Sequence, residues 1–312
     1  MKYIAKRIGY LLLTTFAVMT IVFIVLRILP GDPAILILGP DASVDSIAAM
    51  REKLGLNQPI LVQYFAYLKS FITFDFGDSL AHHVPVLSLL KRALPYTITL
   101  SIAALLVSVV VGVPLGVMSA LKRNGIFDFF SRVASLLTIG MPHFFLGLMM
   151  LLFFSYRLKW FPLLGGGSFD DPGSVLYHLI LPAIAMGLPR AATQLRFTRA
   201  NMLEVLGLDY VRTARAKGLR EGSVIYKHAL RNALLPVITI IGANLGQLLG
   251  GAFLMEVIFT RPGIGKLLLD GIRARDYPMV QVTIVFFAFM VAVINLLTDL
   301  LYSIADPRIQ HK

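Results

Sequence analysis

The chain has 312 residues, of which 57% are hydrophobic and 15% are charged, and its mean hydropathy is +0.78. Soluble globular proteins carry about 25% charged residues, so this chain has too few charges to cover a water-exposed surface and is predicted to be a membrane protein. The net charge of +12 fits loops that face anionic headgroups. The sequence has no basic run interleaved with aromatic residues, so nucleic-acid binding is not expected.

Six stretches lack Asp, Glu, Lys and Arg over a length that can cross a bilayer, which takes about 20 apolar residues. They predict an all-α integral membrane protein with six transmembrane helices, at residues 8–26, 93–121, 133–156, 172–189, 232–255 and 277–298. The first is predicted to be a retained helix, because it is longer than the apolar part of a signal peptide and lacks an A-x-A-like cleavage site. The fourth contains Pro182 and Pro189, so we expect it to kink or to continue past Arg190.

The distribution of Lys and Arg predicts the orientation of these helices. With both termini in the cytoplasm, three cationic clusters fall on the cytoplasmic side, as the positive-inside rule requires. The largest is a loop at about 190–231 with Arg190, Arg196, Arg199, Arg212, Arg215, Lys217, Arg220, Lys227 and Arg231. The sequence therefore divides into residues 1–92, a transmembrane helix plus an extracytoplasmic segment with short helices at 44–54 and 60–71, and residues 93–312, a core of five transmembrane helices with that cytoplasmic loop.

Glycines recur at four-residue spacing in two of the predicted spans. Such rows of small residues let two helices approach closely in lipid. They predict close helix packing, either within this chain or with a partner, at Gly112, Gly116, Gly242, Gly246 and Gly250.

Polar side chains inside the predicted spans are candidates for lining a transport path, because such groups usually face the interior of a helical bundle. The alternative is that each is satisfied structurally, as is simplest for His178 and Asp299 near span ends. The candidates for the path are His143, Asn244, Gln247 and Asn295.

Metal, nucleotide and catalytic sites are not expected in this chain. It has no cysteine, and among its histidines only His82 and His83 are adjacent, with no H-x-x-x-H pattern. Residues 262–266, Pro-Gly-Ile-Gly-Lys, superficially resemble a phosphate loop, but the required glycine spacing is absent and Leu267 follows Lys266. If ATP drives this protein, another subunit has to bind it.

The cytoplasmic loop contains a predicted short amphipathic helix at 209–218 that stops at Gly218. Val211, Ala214 and Leu219 are spaced to share a face, and the arginines lie largely elsewhere. Such a helix can lie on lipid headgroups or fit a groove in a partner protein.

The spacing in this loop resembles the E-A-A-x-x-x-G-x9-I-x-L-P motif of ABC importer permeases. Arg212, Thr213 and Ala214 stand at the E-A-A positions, and Gly218 is the glycine. The first Glu, the Ile and the Pro of the motif are replaced here. Two segments of the loop are similar to the variant of this motif in the dipeptide/oligopeptide/nickel permeases. They are Thr-Ala-Arg-Ala-Lys-Gly-Leu at 213–219 and His-Ala-Leu-Arg-Asn-Ala-Leu-Leu-Pro at 228–236.

Further motifs of that family appear in order along the chain. They are Leu-Pro-Gly-Asp-Pro at 29–33, Leu-Gly-Leu-Asn-Gln-Pro at 54–59, Asp-Phe-Gly-Asp-Ser at 75–79, Pro-Tyr-Thr at 95–97, Met-Pro-His-Phe at 141–144, Leu-Pro-Ala at 181–183, Glu-Val-Ile-Phe at 256–259, Pro-Gly-Ile-Gly at 262–265, Arg-Asp-Tyr-Pro at 275–278 and Asp-Pro-Arg at 306–308. The chain thus resembles the dipeptide/oligopeptide/nickel family of ABC importer permeases over its whole length, and specifically the first of the two permeases in such systems.

The resemblance implies a type I ABC importer transmembrane domain in a bacterial or archaeal plasma (inner) membrane. It implies as partners a second homologous permease, two ATP-binding subunits, an extracytoplasmic solute-binding protein and membrane lipid. This chain would hold no cofactor, since ATP and magnesium would bind the ATPase subunits. The segment that would contact an ATPase is Tyr210, Val211, Arg212, Thr213, Ala214, Arg215, Lys217, Gly218 and Leu219.

The resemblance leaves the substrate open. Di- and oligopeptides are the first expectation, with nickel chelates and glutathione-like compounds as alternatives. From other classes, an ion-coupled secondary transporter would need acidic groups near mid-membrane, and no Asp or Glu lies centrally in the six predicted spans. A membrane scaffold without transport activity would account for the spans but not for the cytoplasmic loop.

Overall fold

The computed structural model describes residues 2–28, 32–39 and 41–305, and nearly all regular structure in these ranges is helical. Two of the family-like motifs, at 29–33 and 306–308, lie wholly or partly outside the described residues. Among the described residues, five helices are long and apolar enough to span a membrane, and there are six spans if one bent helix pair counts as a single span. The prediction of an all-α membrane protein is confirmed, and five to six candidate spans agree with the predicted six.

The chain forms two compact units, one made of residues 1–96 and 262–296 and the other of residues 97–261 and 297–312. Residues 262–296 thus group with the N-terminal part, which a division of the sequence at residue 92 does not anticipate. The described helices of the first unit are α1 (Lys2–Ile28), α2 (Pro33–Leu38), α3 (Val44–Lys53), α4 (Ile60–Thr73) and α12 (Ile264–Arg273), with the start of α5 (Val86–Leu121) and most of α13 (Tyr277–Ala305).

The first unit is held by a core in which α1 and α4 pack against α13. Met19, Val22 and Val285 are buried there. The ring of Phe23 lies 5.1 Å from that of Tyr64, centroid to centroid. Because aromatic pairs at such separations are stabilised beyond their buried area, they fix α4 along α1.

The second unit contains the rest of α5, followed by the helices that carry the candidate sites. Gly187 of α8 (Pro172–Leu206) packs directly on α5, since a Cβ atom there would lie 2.7 Å from the carbonyl oxygen of Ala104. Its other helices are α6 (Ile126–Gly140), α7 (His143–Met150) with a π-helical continuation Leu151–Arg157, α9 (Asp209–Ala216), α10 (Glu221–Ser223) with a π-helical continuation Val224–Ala229, and α11 (Leu230–Ile258).

The third predicted span is broken, contrary to the prediction of a single helix over residues 133–156. The axes of Ile126–Gly140 and His143–Arg157 differ in direction by 101°. Pro142 lacks an N–H and disfavours a helical conformation for the residue before it. Met141 accordingly has φ −89° and ψ 129°, and the chain turns at this point.

The fourth span is longer than the apolar stretch that predicted it. Asp171 caps α8 by accepting hydrogen bonds from the backbone of Gly173 and Ser174, and the helix passes through Pro182 and Pro189 to Leu206. Arg190, Arg196 and Arg199 therefore lie on α8, and not in a loop that begins at about residue 190. The expectation that this helix continues past Arg190 is correct, and the segment between α8 and α10 is confined to residues 207–220.

Candidate functional site

The first candidate site is α9, a helix of eight residues held against its own chain by one side. Val211 is fully buried and Ala214 nearly so, packed with Val224 and with Val205 and Leu206 of α8. The hydroxyl of Tyr210 accepts a hydrogen bond of 2.8 Å from Asn232 at the start of α11. The helix is thereby fixed to the ends of α8 and α11, so that a displacement of α9 would be transmitted to both.

The C-terminal end of α9 is set by a glycine. Gly218 has φ +75°, a left-handed conformation that side chains other than glycine rarely adopt, and its N–H donates to the carbonyl of Arg215. Because the chain reverses here, Leu219 no longer follows the helical repeat and is 42% exposed. The prediction that Leu219 shares a face with Val211 and Ala214 is therefore wrong.

The opposite side of α9 is cationic and exposed. The side chain of Arg212 is 72% exposed and pairs at 3.4 Å with Asp209, and Lys217 is also exposed. Arg215 forms an ion pair of 2.8 Å with Glu221, and this hydrogen bond lowers the pKa of the Glu221 carboxyl below its ordinary value. Thr213 donates to the carbonyl of Asp209 within the helix. This exposed side is suited to contact an acidic or polar partner surface.

The second candidate site is a cavity of about 420 Å³ in the second unit, at the break between α6 and α7. Gln247 accepts a hydrogen bond of 2.7 Å from Nη1 of Arg190 in this cavity. The Nε2 atom of His143 is buried and has no hydrogen-bond partner among the described residues. The lining residues are Ile139, Gly140, Met141, Pro142, His143, Met186, Pro189, Arg190, Thr193, Gln247, Leu248 and Gly251.

Two of the four path candidates, His143 and Gln247, are thus brought to one cavity. The side chain of Asn244 lies outside the described residues, and Asn295 is exposed on α13 and is not among the lining residues of this cavity. The sequence does not mark Arg190 as a cavity residue, because it is the first cation after an apolar stretch and falls in the cytoplasmic loop predicted at about 190–231. The signal that could have found it is the expected continuation of the helix through Pro182 and Pro189, which places Arg190 on a helix and not in a loop.

The predicted glycine rows have different environments. A Cβ atom on Gly112 would lie 2.6 Å from the carbonyl oxygen of Ala191, and one on Gly116 would lie 2.6 Å from Cβ of Thr198. These two glycines therefore lie at a close crossing of α5 and α8. In α11, Gly242 accepts a hydrogen bond of 3.3 Å from Thr298, Gly246 is half-buried, and a Cβ atom on Gly250 would have nothing within 4 Å.

Two pairs of the family-like motifs meet in the structure. In the first unit, Ser79 donates a 2.5 Å hydrogen bond to the fully buried carboxylate of Asp276, which also caps the start of α13 by accepting from the N–H of Met279. In the second unit, Thr97 donates at 2.5 Å to the fully buried Glu256. These motif residues are therefore paired with one another in buried contacts within the fold.

The segment that superficially resembles a phosphate loop has a structural role. Gly263 precedes α12, and the Lys266 ammonium donates to Asp270 one turn later at 2.6 Å. In the part of the chain that the structure describes, no three His, Asp or Glu side chains are grouped as metal ligands.

The fold is that of a polytopic membrane subunit with a polar cavity at the break between α6 and α7 and a short cationic helix, α9, at the ends of α8 and α11. Residues 112–311 match the binding-protein-dependent transport system inner membrane component, and residues 1–101 match the N-terminal region of binding-protein-dependent transport system membrane components. The chain belongs to this family. It is a multi-pass inner-membrane permease subunit of an ABC importer.

Curated relatives align over the whole chain. The chain is 41% identical to the dipeptide transport system permease protein DppB of Alkalihalophilus pseudofirmus, with 100% of both chains covered. It is 40% identical to the probable peptide ABC transporter permease protein y4tP of Sinorhizobium fredii, with 99% of both covered. It is 39% identical to the glutathione transport system permease protein GsiC of Escherichia coli strain K12, with 100% of both covered.

A solved structure has the same fold. A chain of the MetNI methionine ABC transporter, in an inward-facing conformation, superposes with a TM-score of 0.57 at 16% identity, covering 70% of this chain and 96% of that one. At this identity the likeness concerns the fold alone.

Proposed function

We propose that this permease forms, with a second homologous permease, the membrane path of an importer for di- or oligopeptides. Two cytoplasmic subunits that bind ATP and magnesium drive it, and an extracytoplasmic solute-binding protein delivers the substrate. The single observation that supports this arrangement best is the geometry of α9, which is anchored by Val211 and Ala214 and presents Arg212 and Lys217 outwards. In this proposal α9 is the helix that rests in a groove of one ATPase subunit.

The proposed mechanism is a rigid-body switch between two states of access. ATP binding closes the ATPase pair and brings the two contact helices together. Because α9 packs on the end of α8 and its Tyr210 is bonded to the start of α11, its displacement tilts both helices. The energy comes from the preference of the nucleotide for the closed ATPase pair, and this chain contributes no covalent chemistry.

Peptides are favoured as the substrate by the names of the relatives, which include dipeptide, peptide and glutathione permeases. Glutathione is itself a tripeptide, so all three share free carboxylates and amide bonds. The path we propose passes the cavity lined by His143 and Gln247, which offers hydrogen-bonding groups suited to such molecules. No observation favours nickel chelates over peptides.

The experiment is purification of the tagged chain from its native membrane, mass spectrometry of the proteins that accompany it, and uptake of a labelled dipeptide by the purified complex in proteoliposomes. We expect a second permease, ATPases and a solute-binding protein, and uptake that requires ATP. A nickel chelate serves as the comparison substrate. Uptake of the chelate but not of any dipeptide would contradict the peptide proposal, and a chain that purifies alone would contradict the assembly.

A further inference from the structure

Arg190 carries a positive charge in the middle of α8, a helix long and apolar enough to span a membrane. It lies 18 residues after Pro172 and 16 before Leu206, the two ends of α8, which at 1.5 Å per residue places it about 25 Å along the helix from each end. A cation within a membrane-spanning helix is costly, and it is retained where it faces a water-filled cavity or serves a function. Its surroundings therefore indicate what it does.

The guanidinium has a neutral partner. A guanidinium has five N–H donors, and the described bond from Arg190 goes to the amide oxygen of Gln247 at 2.7 Å. None of the described residues that line the cavity is acidic. The cavity thus holds a cation whose charge is not balanced by a carboxylate of its own lining.

Neighbouring groups strengthen the preference for an anion. Nε2 of His143 is buried without a hydrogen-bond partner among the described residues, and a Cβ atom on Gly251 would lie 3.7 Å from it, so the imidazole lies close to α11. His143 also begins α7, and the N-terminal end of a helix carries partial positive charge. Thr193 also lines the cavity, and its hydroxyl donates to the carbonyl of Pro189 at 3.2 Å. Gln247 accepts from Arg190 with its amide oxygen, so its NH₂ group can donate a hydrogen bond to an anion that Arg190 attracts.

We propose that this cavity is an anion subsite on the translocation path, and that it takes the terminal carboxylate of the transported peptide. The proposal rests on the proposed function, which makes this cavity part of the path. Arg190 is the main donor, the amide of Gln247 is a second, and His143 packs beside them. The volume of about 420 Å³ lies in the usual range of ligand pockets, roughly 300–1,000 Å³. Guanidinium groups bind carboxylates through two parallel N–H bonds, which orients the ligand as well as holding it.

The test uses the complete complex in proteoliposomes and a charge series at one position: Arg190→Lys, Arg190→Gln and Arg190→Glu. Because losing a charge-assisted hydrogen bond weakens binding by roughly tenfold or more, we expect uptake of a free-acid dipeptide to fall in the order Arg, Lys, Gln, Glu. Arg196→Gln and Arg196→Glu are the matched controls, since Arg196 is exposed on the same helix and does not line this cavity. Recovery of the partner subunits with each variant verifies assembly.

A second measurement separates carboxylate binding from helix structure. For each variant, uptake of a dipeptide amide is compared with uptake of the free acid, and we expect the ratio of acid to amide to fall about tenfold in Arg190→Gln. Equal losses in all three Arg190 variants, or no loss, would overturn the proposal. If the binding protein does not deliver the amide, the charge series decides alone. A wild-type complex without ATP-dependent dipeptide uptake contradicts the proposed function itself, and the peptide subsite falls with it.

Discussion

Arg199 of α8 donates two hydrogen bonds to the carboxylate of Asp128 at the start of α6, with lengths of 2.6 and 2.8 Å. Ser119 near the end of α5 donates to the same carboxylate at 2.6 Å, and the backbone N–H of Asn124 does so at 3.0 Å. The end of α5, the start of α6 and the C-terminal part of α8 are therefore joined at one buried carboxylate. They are joined on the side of the bundle from which α8 leads into α9.

This ion pair predicts a loss of stability in Asp128→Asn. The carboxylate has no exposed surface but lies just beneath the side chain of Arg132, which is 50% exposed, so water screens it in part. We expect the free energy of unfolding to fall by roughly 1.5–3 kcal/mol, as for other hydrogen bonds to charged groups. Thermal unfolding of the purified complex measures this.

The matched control for that substitution is Asp209→Asn, because Asp209 pairs with Arg212 but its side chain is 96% exposed. Exposed pairs contribute about 0–1 kcal/mol, so its melting temperature should stay near that of the wild type. Equal melting temperatures for Asp128→Asn and Asp209→Asn would show that the hydrogen bonds to Asp128 do not stabilise the fold.

The close approach of α5 and α8 predicts that Gly112→Ala is destabilising. The added Cβ would meet the Ala191 carbonyl oxygen at 2.6 Å, and a backbone atom in a packed helix cannot move away easily. Overpacking of this kind costs about 1–3 kcal/mol. Gly9→Ala is the control, since a Cβ atom there has nothing within 4 Å. If the Gly112→Ala and Gly9→Ala proteins had the same melting temperature, the close packing of α5 on α8 at Gly112 would be contradicted.

The left-handed backbone at Gly218 predicts that Gly218→Val separates ATP hydrolysis from transport. An L-residue in this conformation costs about 1–2 kcal/mol, and a β-branched one is worse. The end of α9 should therefore rearrange and transmit force poorly. We expect dipeptide imported per ATP hydrolysed to fall by roughly fivefold or more.

Gly222→Val provides the comparison for Gly218→Val. Gly222 is exposed nearby, has no positive φ, and a Cβ atom there has open space. It should keep the normal ratio of uptake to hydrolysis. If both variants behaved as the wild type, α9 would not be the helix that links the ATPase to the path.

Gly250 predicts a contact beyond this chain. It continues the glycine row of α11, yet a Cβ atom on it would touch nothing within 4 Å. Small residues at an open helix surface allow close helix association in lipid. We expect Gly250→Leu to reduce recovery of the second permease several-fold in affinity purification, whereas Gly9→Leu should not. Unchanged recovery would place the permease–permease contact elsewhere.

The sequence predicts most of the spans because hydrocarbon excludes charge, and this rule needs no knowledge of tertiary contacts. The same rule ends the fourth apolar stretch at residue 189, although α8 runs on through Arg190 to Leu206. The cation is tolerated there because it faces a polar cavity and bonds Gln247, which is 57 positions away in the sequence. Such a contact has no periodicity by which it could be recognised.

Some local features of the backbone can be predicted from neighbouring residues, and others cannot. A glycine after a short amphipathic helix predicts the positive φ at Gly218. Pro142 also indicates a possible break in the helix. The apolar stretch around it is nevertheless long enough for one span, so its length predicts a single helix. The pairing of Asp128 with Arg199 joins residues 71 positions apart, so only the folded chain reveals it.

Cross-linking from α9 tests most directly whether this helix contacts an ATPase subunit. The chain has no cysteine, so Arg212→Cys introduces a single thiol that can carry a photoactivatable cross-linker in the assembled complex. We expect the adduct to contain an ATP-binding subunit, and we expect a linker at Asp170→Cys, in the exposed loop before α8, to yield no such adduct. Failure of position 212 to reach an ATPase while position 170 does so would contradict both the orientation of the chain and the role of α9.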